Sequence, residues 1–125
     1  MATHLKWKVD IDFLKKFNDF EKLKFLNRAI TNRDNRYPFS LEEYKKYIEK
    51  FYYDKQFNYI YLKWLKNKED IYMKPSIDHK IPRSKGGTTS IDNLQFLTWF
   101  ENRCKNNMSQ ESWDKLKINI KDYLL

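Results

Sequence analysis

The sequence predicts an α+β protein in which a mostly helical N-terminal part packs on a small C-terminal unit of two strands and a helix. In residues 11–65, apolar side chains recur at the three- and four-residue intervals of amphipathic helices. After Pro75 the pattern changes to two short apolar segments, separated by a polar loop that contains Gly86 and Gly87. Because 125 residues supply about one core, we expect a single domain over residues 1–125.

The first and third predicted helices rest on apolar periodicity. Residues 11–30 form one stripe, which ends in the polar loop 31–38. A second stripe follows a break near Asp54 and ends near Asn67. Stripes of this kind are typical of helix faces that pack on a core. Their members are Phe13, Phe17, Phe20, Leu23, Leu26 and Ile30 in the first helix, and Phe57, Ile60, Tyr61, Trp64 and Leu65 in the third.

The second helix has a sharply defined start. Ser40 and Glu43 match a capping box, in which each side chain accepts a hydrogen bond from the backbone amide of the other residue. Phe39 and Tyr44 occupy the two positions of a hydrophobic staple, which fixes the direction in which the chain enters the helix. These signals predict a helix that begins directly after Ser40.

The C-terminal part is predicted to fold as strand, loop, strand and two helices. The strands cover residues 76–82 and 93–98, because both segments are short and bounded by proline, glycine or polar residues. The remaining elements are a helix over residues 99–108 and a final helix over residues 109–125, capped by Ser109.

The chain is basic, with 25 Lys and Arg residues against 17 Asp and Glu and a net charge of +8. An excess of this size favours polyanionic partners such as nucleic acid, because neutralised phosphates release their counterions. The alternative is an ordinary basic protein without such a partner. The aromatic content of 18% is too high for a disordered chain.

Cysteine content and apolar pattern exclude other classes. Cys104 is the only cysteine, which excludes an intrachain disulfide and a cysteine-rich zinc site. We interpret it as a small buried residue rather than a nucleophile. The first 17 residues have no apolar core typical of a signal peptide, and no apolar run reaches the roughly 18 residues of a membrane span. We therefore expect an intracellular, cytoplasmic protein.

Asp78, His79, Asn93 and Asn102 form the candidate reactive constellation. The predicted strand, loop, strand and helix could bring these polar residues together. Adjacent residues of a regular strand point to opposite faces, so Asp78 and His79 share a site only if the strand twists or ends there. Pro82, which follows closely, favours an irregular exit from the strand.

The segment IDHKIPRSKGGTTSIDNLQFLTWFENRCKNN resembles the signature of HNH nucleases, the ββα-metal motif. The resemblance covers about residues 75–107 and is to the H-N-N variant of the motif. The segment is similar to the small HNH endonucleases of phages and mobile elements. Residues 1–70 carry no such motif, and we interpret them as a helical support and specificity region. The matching positions are Asp78-His79, Pro82, Ser84-Lys85-Gly86-Gly87, Asn93-Leu94-Gln95, Asn102 and Lys105.

The resemblance implies a role for each residue of the constellation. His79 would be the general base, since imidazole has an ordinary pKa of about 6.5. Asn93 would contribute to catalysis by holding the loop and His79 in the correct orientation. Asp78 and Asn102 would bind one metal through oxygen, which suits Mg²⁺, and Mn²⁺ should substitute. Asn106, four residues after Asn102, is a weaker candidate ligand on the same helix face.

The resemblance also implies a DNA substrate and the absence of a structural zinc. The substrate would be DNA, double-stranded rather than single-stranded, hydrolysed to 5′-phosphate and 3′-hydroxyl ends. Each active site cuts one strand, so a double-strand break would need a homodimer or two encounters. Thr98 and Glu101 stand where many relatives have cysteines, so no structural zinc is expected. The predicted nucleic-acid contacts are Arg83, Lys85, Arg103 and Lys105.

The sequence leaves two other functions open. One is a non-catalytic nucleic-acid-binding module that keeps the ββα shape. The other is a helical protein-interaction domain, for which the matched spacing would be a coincidence. Cleavage that needs both metal and His79 separates an enzyme from either alternative.

Overall fold

The computed structural model describes residues 11–31, residue 37 and residues 39–120. The chain divides into two compact units, residues 1–59 and residues 60–125. The α+β class is confirmed, because the described residues are mainly helical and contain one small antiparallel sheet in the second unit. None of the described helices is long and apolar enough to cross a membrane.

Six helices and two strands make up the described part of the chain, together with single turns of 3-10 helix at Ile71–Met73, Arg83–Lys85 and Ile91–Asn93. The first unit contains α1 (Ile11–Leu14), α2 (Phe20–Thr31) and α3 (Leu41–Tyr52), and α4 (Lys55–Leu65) crosses the division between the units. The second unit contains β1 (Pro75–His79), β2 (Leu94–Thr98), α5 (Trp99–Lys105) and α6 (Gln110–Ile120).

The predicted continuous helix over residues 11–30 is wrong, because it is broken between α1 and α2. Asp19 causes the break by capping α2: its Oδ1 accepts a hydrogen bond of 3.0 Å from the amide of Lys22. The amide of Asp19 donates to the hydroxyl of Tyr52 at 2.8 Å, which ties the break to α3. Apolar residues recur across the break in the sequence, although Phe20 is exposed and does not pack on the core as predicted, so periodicity alone gives no sign of the interruption.

The capping box at the start of α3 is confirmed. Ser40 Oγ accepts from the amide of Glu43 at 3.2 Å, and Glu43 Oε1 accepts from the amide of Ser40 at 3.0 Å. The helix buries an aromatic face, and the hydroxyl of Tyr47 donates to the carbonyl of Leu26 in α2 at 2.7 Å. Burial raises the pKa of Tyr47 well above its ordinary value, so this donor keeps its proton. The buried face of α3 comprises Tyr44, Tyr47, Ile48, Phe51 and Tyr52.

In the second unit, β1 and β2 pair antiparallel in a register that runs from Pro75 opposite Thr98 to His79 opposite Leu94. The first strand is shorter than predicted and ends at His79. The amide of Lys80 still donates to the carbonyl of Asn93 at 2.7 Å, but the amide of Asn93 donates to the carbonyl of Ser90 at 2.9 Å instead of to Lys80, so regular pairing stops after His79. The strand therefore leaves the sheet at the residue proposed as the base.

Candidate active site

The inner contact of the second unit lies between β1 and α5. Ser76 and Asp78 share one face of the strand, and Asn102 and Lys105 are spaced three residues apart on the helix. Asn102 Nδ2 donates to Ser76 Oγ at 2.8 Å, and Lys105 Nζ donates to Asp78 Oδ2 at 2.6 Å. The fold thus brings Asp78 and Asn102, two of the predicted site residues, to the same strand–helix contact.

Asp78 is 5% exposed, so its carboxylate needs partners inside the protein. Within the described residues, its side-chain hydrogen bonds all end on Oδ2, which accepts from Lys105 Nζ and from Gln95 Nε2 at 2.9 Å. Gln95 lies directly opposite Asp78 in the sheet and also donates to Gln110 Oε1 at 2.7 Å. One carboxylate oxygen is therefore anchored, and Oδ1 is left for another ligand.

The amide of Asn102 is held in one orientation. Its Nδ2 donates to the carbonyl of Ile77 at 2.9 Å, and a carbonyl can only accept, so the nitrogen must face the strand. Its Oδ1 consequently points away from that contact. A carboxylate oxygen and an amide oxygen are donors that hard divalent cations prefer.

The donor set fits a metal that keeps much of its water. Within the described ranges, no group of three or more His, Cys, Asp or Glu side chains is arranged to hold a metal ion. Asp78 and Asn102 would supply two oxygens, and water or substrate phosphate would supply the others. Mg²⁺ is commonly bound in this way, through one or two protein oxygens and several waters.

Lys105 lies elsewhere than the sequence predicts. It is fully buried at 0% exposure, and its ammonium donates to the carbonyls of His79 at 2.8 Å and Lys80 at 3.3 Å as well as to Asp78. It has no exposed charge to offer a phosphate, contrary to the prediction. The sequence signal for this position is the three-residue interval between Asn102 and Lys105. Residues at this interval share a helix face, so Lys105 is expected to face β1 as Asn102 does.

His79 is half-buried at the end of β1, and its Nε2 lies 3.4 Å from Thr89 Oγ1. Because successive strand residues point to opposite faces, its ring projects from the face opposite Asp78. The two neighbours therefore have different partners: Asp78 contacts Lys105, and the His79 ring contacts the loop between the strands. The partial exposure leaves the ring within reach of solvent.

Asn93 closes the base of the loop between the strands. Its Oδ1 accepts from the amide of Ile81 at 2.9 Å, and its Nδ2 donates to the carbonyls of Ile81 at 3.1 Å and Thr88 at 2.7 Å. The predicted role in holding the loop agrees with these contacts. They fix the backbone two residues after His79, and none of them is to the imidazole.

The exposed cations lie on the loop and on the outer side of α5. Arg83 and Lys85 stand on the 3-10 turn after Pro82, and Arg103 places its guanidinium 4.6 Å from the ring centroid of Trp99. Cys104, next to Arg103, is exposed as well, so its interpretation as a buried residue is wrong. Three of the four predicted nucleic-acid contacts are thus accessible.

Asn106 does not continue the helix face of Asn102. The helix ends at Lys105, and Asn106 follows it with φ 47° and ψ −119°, in the left-handed half of conformational space. Its exposed side chain therefore leaves the register on which the ligand prediction depends. The backbone conformation corresponds to a turn position that glycine normally occupies.

Replacing Asn106 by glycine should stabilise the protein by about 1 kcal/mol, because relief of backbone strain exceeds the added entropy of the unfolded chain. We expect the midpoint of thermal unfolding to rise by a few degrees. Asn107→Gly, at an exposed neighbouring position without positive φ, should give no increase. A lower midpoint for Asn106→Gly would contradict the strain argument, and lost metal binding would restore Asn106 as a ligand.

Three polar residues for which the sequence predicted no role complete the site. Ser76 receives the Asn102 amide, while Gln95 and Gln110 form a hydrogen-bonded chain that begins at Asp78. Gln95 could be found from the antiparallel register, since it pairs with Asp78 across the sheet. Gln110 has no such signal, because its position depends on how α6 packs.

Residues 66–108 match the family model described as HNH endonuclease. The match spans both strands, the loop between them and α5, which together contain every residue of the candidate site except Gln110. HNH nucleases act on DNA and generally use a divalent metal. No curated protein and no solved structure matches this chain.

Proposed function

We propose that this protein is a metal-dependent endonuclease that hydrolyses DNA phosphodiester bonds at the end of β1, where Asp78 and His79 lie beside α5. The observation that supports the proposal best is the way in which two side chains are anchored. Asp78 and Asn102 are held through Oδ2 and Nδ2, so each has one remaining oxygen for a cation. Both oxygen donors lie in the segment that matches HNH endonucleases.

In the proposed reaction, His79 is the general base. One ring nitrogen takes a proton from the attacking water, and its partial exposure gives that water access. Asp78 and Asn102 would hold one Mg²⁺ ion, for which Mn²⁺ should substitute, and the bound ion would supply Lewis-acid stabilisation of the phosphate. Asn93 keeps the loop beside His79 closed. The products are a 5′-phosphate and a 3′-hydroxyl.

The exposed cations are proposed to hold the DNA backbone. Arg83, Lys85 and Arg103 are accessible, and the chain as a whole carries a net charge of +8. Contacts to phosphate position a protein on duplex DNA without reading its bases. Binding should therefore weaken steeply as salt increases, because phosphate contacts release counterions. One site per chain cuts one strand, and a double-strand break requires a homodimer or two encounters.

A non-catalytic nucleic-acid-binding module is the second candidate. It is favoured by the ion pair between Asp78 and Lys105, which already neutralises the proposed carboxylate ligand. In such a module the strand–helix contact would serve stability alone, and the exposed cations would still bind DNA. The two candidates differ in whether bound DNA is cut.

Removal of the metal should abolish cleavage. We expect nicking of supercoiled plasmid with Mg²⁺ or Mn²⁺ and none with EDTA, because hydrolysis needs the Lewis acid. Asp78→Ala should remove cleavage as well, whereas Asp92→Ala, which alters an exposed carboxylate outside the site, should cut like the original protein. Cleavage that persists in EDTA contradicts the metal mechanism. A gel shift without any cleavage in Mg²⁺ supports the binding module instead.

A further inference from the structure

Lys105 is an unusual lysine, because its side chain is fully buried and its ammonium is fully hydrogen-bonded. The three acceptors are Asp78 Oδ2 at 2.6 Å, the carbonyl of His79 at 2.8 Å and the carbonyl of Lys80 at 3.3 Å. An ammonium group has three protons to donate, so each has an acceptor. Buried lysines are rare unless they are paired, which indicates a specific role for this one.

The three acceptors belong to consecutive residues at the point where β1 ends. An ion pair alone would need only the carboxylate of Asp78, yet Lys105 also binds two successive main-chain carbonyls, those of His79 and Lys80. One residue further on, Asn93 binds the amide and carbonyl of Ile81. The exit from β1 is therefore held from α5 and from the start of β2.

We propose that Lys105 is a positioning residue of the nuclease, which fixes the backbone that carries His79 relative to the carboxylate of Asp78. This inference rests on the proposed function. Strand alternation directs the two side chains to opposite faces, so their relative position depends on the backbone between them. Lys105 binds both the Asp78 side chain and the His79 carbonyl, and so holds the base and the carboxylate in one arrangement.

The same ammonium has an electrostatic consequence. It lies against the carboxylate that is proposed to bind a divalent cation, and like charges at such distances repel. Lys105 should therefore weaken metal binding while it improves turnover. A residue that only stabilises the fold would, when removed, impair metal binding and turnover together.

The test replaces Lys105 by methionine, which has a similar length and no charge. At saturating Mg²⁺ we expect kcat to fall at least 10-fold, with the KM for plasmid DNA changed less than 3-fold, because a buried side chain makes no substrate contact. Binding of Mn²⁺, measured by electron paramagnetic resonance without DNA, should be as tight or tighter. Lys115→Met, which alters an exposed lysine of α6, should leave all three quantities unchanged. Unchanged kcat, or weaker Mn²⁺ binding by a folded variant, would overturn the proposal.

A second measurement needs no variant. In the original protein, the ¹⁵N-detected ammonium signal of Lys105 should exchange slowly with water and should persist when Mg²⁺ is saturating, since its two carbonyl partners remain. Loss of that signal with Mg²⁺ would overturn the proposal even if Lys105→Met fails to fold. If Asp78→Ala also cuts normally, the proposed function itself fails. If Asp78→Ala is inactive and Lys105→Met has normal kcat, only the role of Lys105 fails.

Discussion

Replacing His79 by alanine should reduce DNA cleavage by about 10²- to 10⁴-fold, the usual contribution of a general base. The fold should change little, because His79 is only half-buried and is the last residue of β1. Metal binding should also persist, since the proposed ligands are Asp78 and Asn102. The rate of plasmid nicking at saturating Mg²⁺ measures the first effect, and the thermal unfolding midpoint measures the second.

The chain provides a matched control for this experiment. It contains two histidines, and His4 lies outside the described residues and outside the segment that matches HNH endonucleases. His4→Ala should therefore nick plasmid at the original rate. Added imidazole should restore part of the activity of His79→Ala, because a free base can enter the space left by the ring. A His79→Ala variant with normal cleavage would exclude this residue as the base.

Gly87→Ala should be the most damaging single-methyl substitution in the loop between the strands. A Cβ at this position would lie 1.7 Å from the carbonyl oxygen of Ile81 and 2.9 Å from that of Pro82, so backbone would have to move. The amide of Gly87 also donates to Pro82 at 2.9 Å, which holds the loop tight. We expect a loss of about 2–4 kcal/mol of unfolding free energy and a thermal midpoint lower by roughly 10 °C.

Gly86→Ala separates the effect of steric crowding from the effect of backbone conformation. Gly86 has φ 88°, which disfavours alanine, but a Cβ there would meet nothing within 4 Å. The expected cost is about 1–2 kcal/mol, from the left-handed conformation alone. Both variants should be compared by urea unfolding. Equal losses of unfolding free energy for the two variants would show that crowding against Ile81 does not add to the cost of Gly87→Ala.

The features that local sequence predicts well are those whose causes lie within a few residues. The capping box of Ser40 and Glu43 forms as expected, because both partners belong to the same helical turn. The strand–loop–strand–helix order was also predictable, since Pro75, Gly86 and Gly87 mark its boundaries. The expectation of one domain, with residues 1–70 giving specificity, stays a prediction.

The features that the sequence could not predict depend on distant partners. From its residue type alone, Lys105 would be expected at the surface. The three groups that accept hydrogen bonds from its ammonium lie 25 to 27 residues earlier in the chain. The break at Asp19 is tied to Tyr52, 33 residues away, and the apolar stripe continues across it. In both cases tertiary contacts override the local pattern.

Exposure of Cys104 provides a ready attachment point for a spectroscopic probe. It is the only thiol in the chain, and it stands on the helix that supplies Asn102. A maleimide fluorophore would therefore react at one defined place without any substitution. Energy transfer from that dye to a labelled duplex would report how closely the helix approaches each end of the DNA, and would give the orientation of the bound substrate directly.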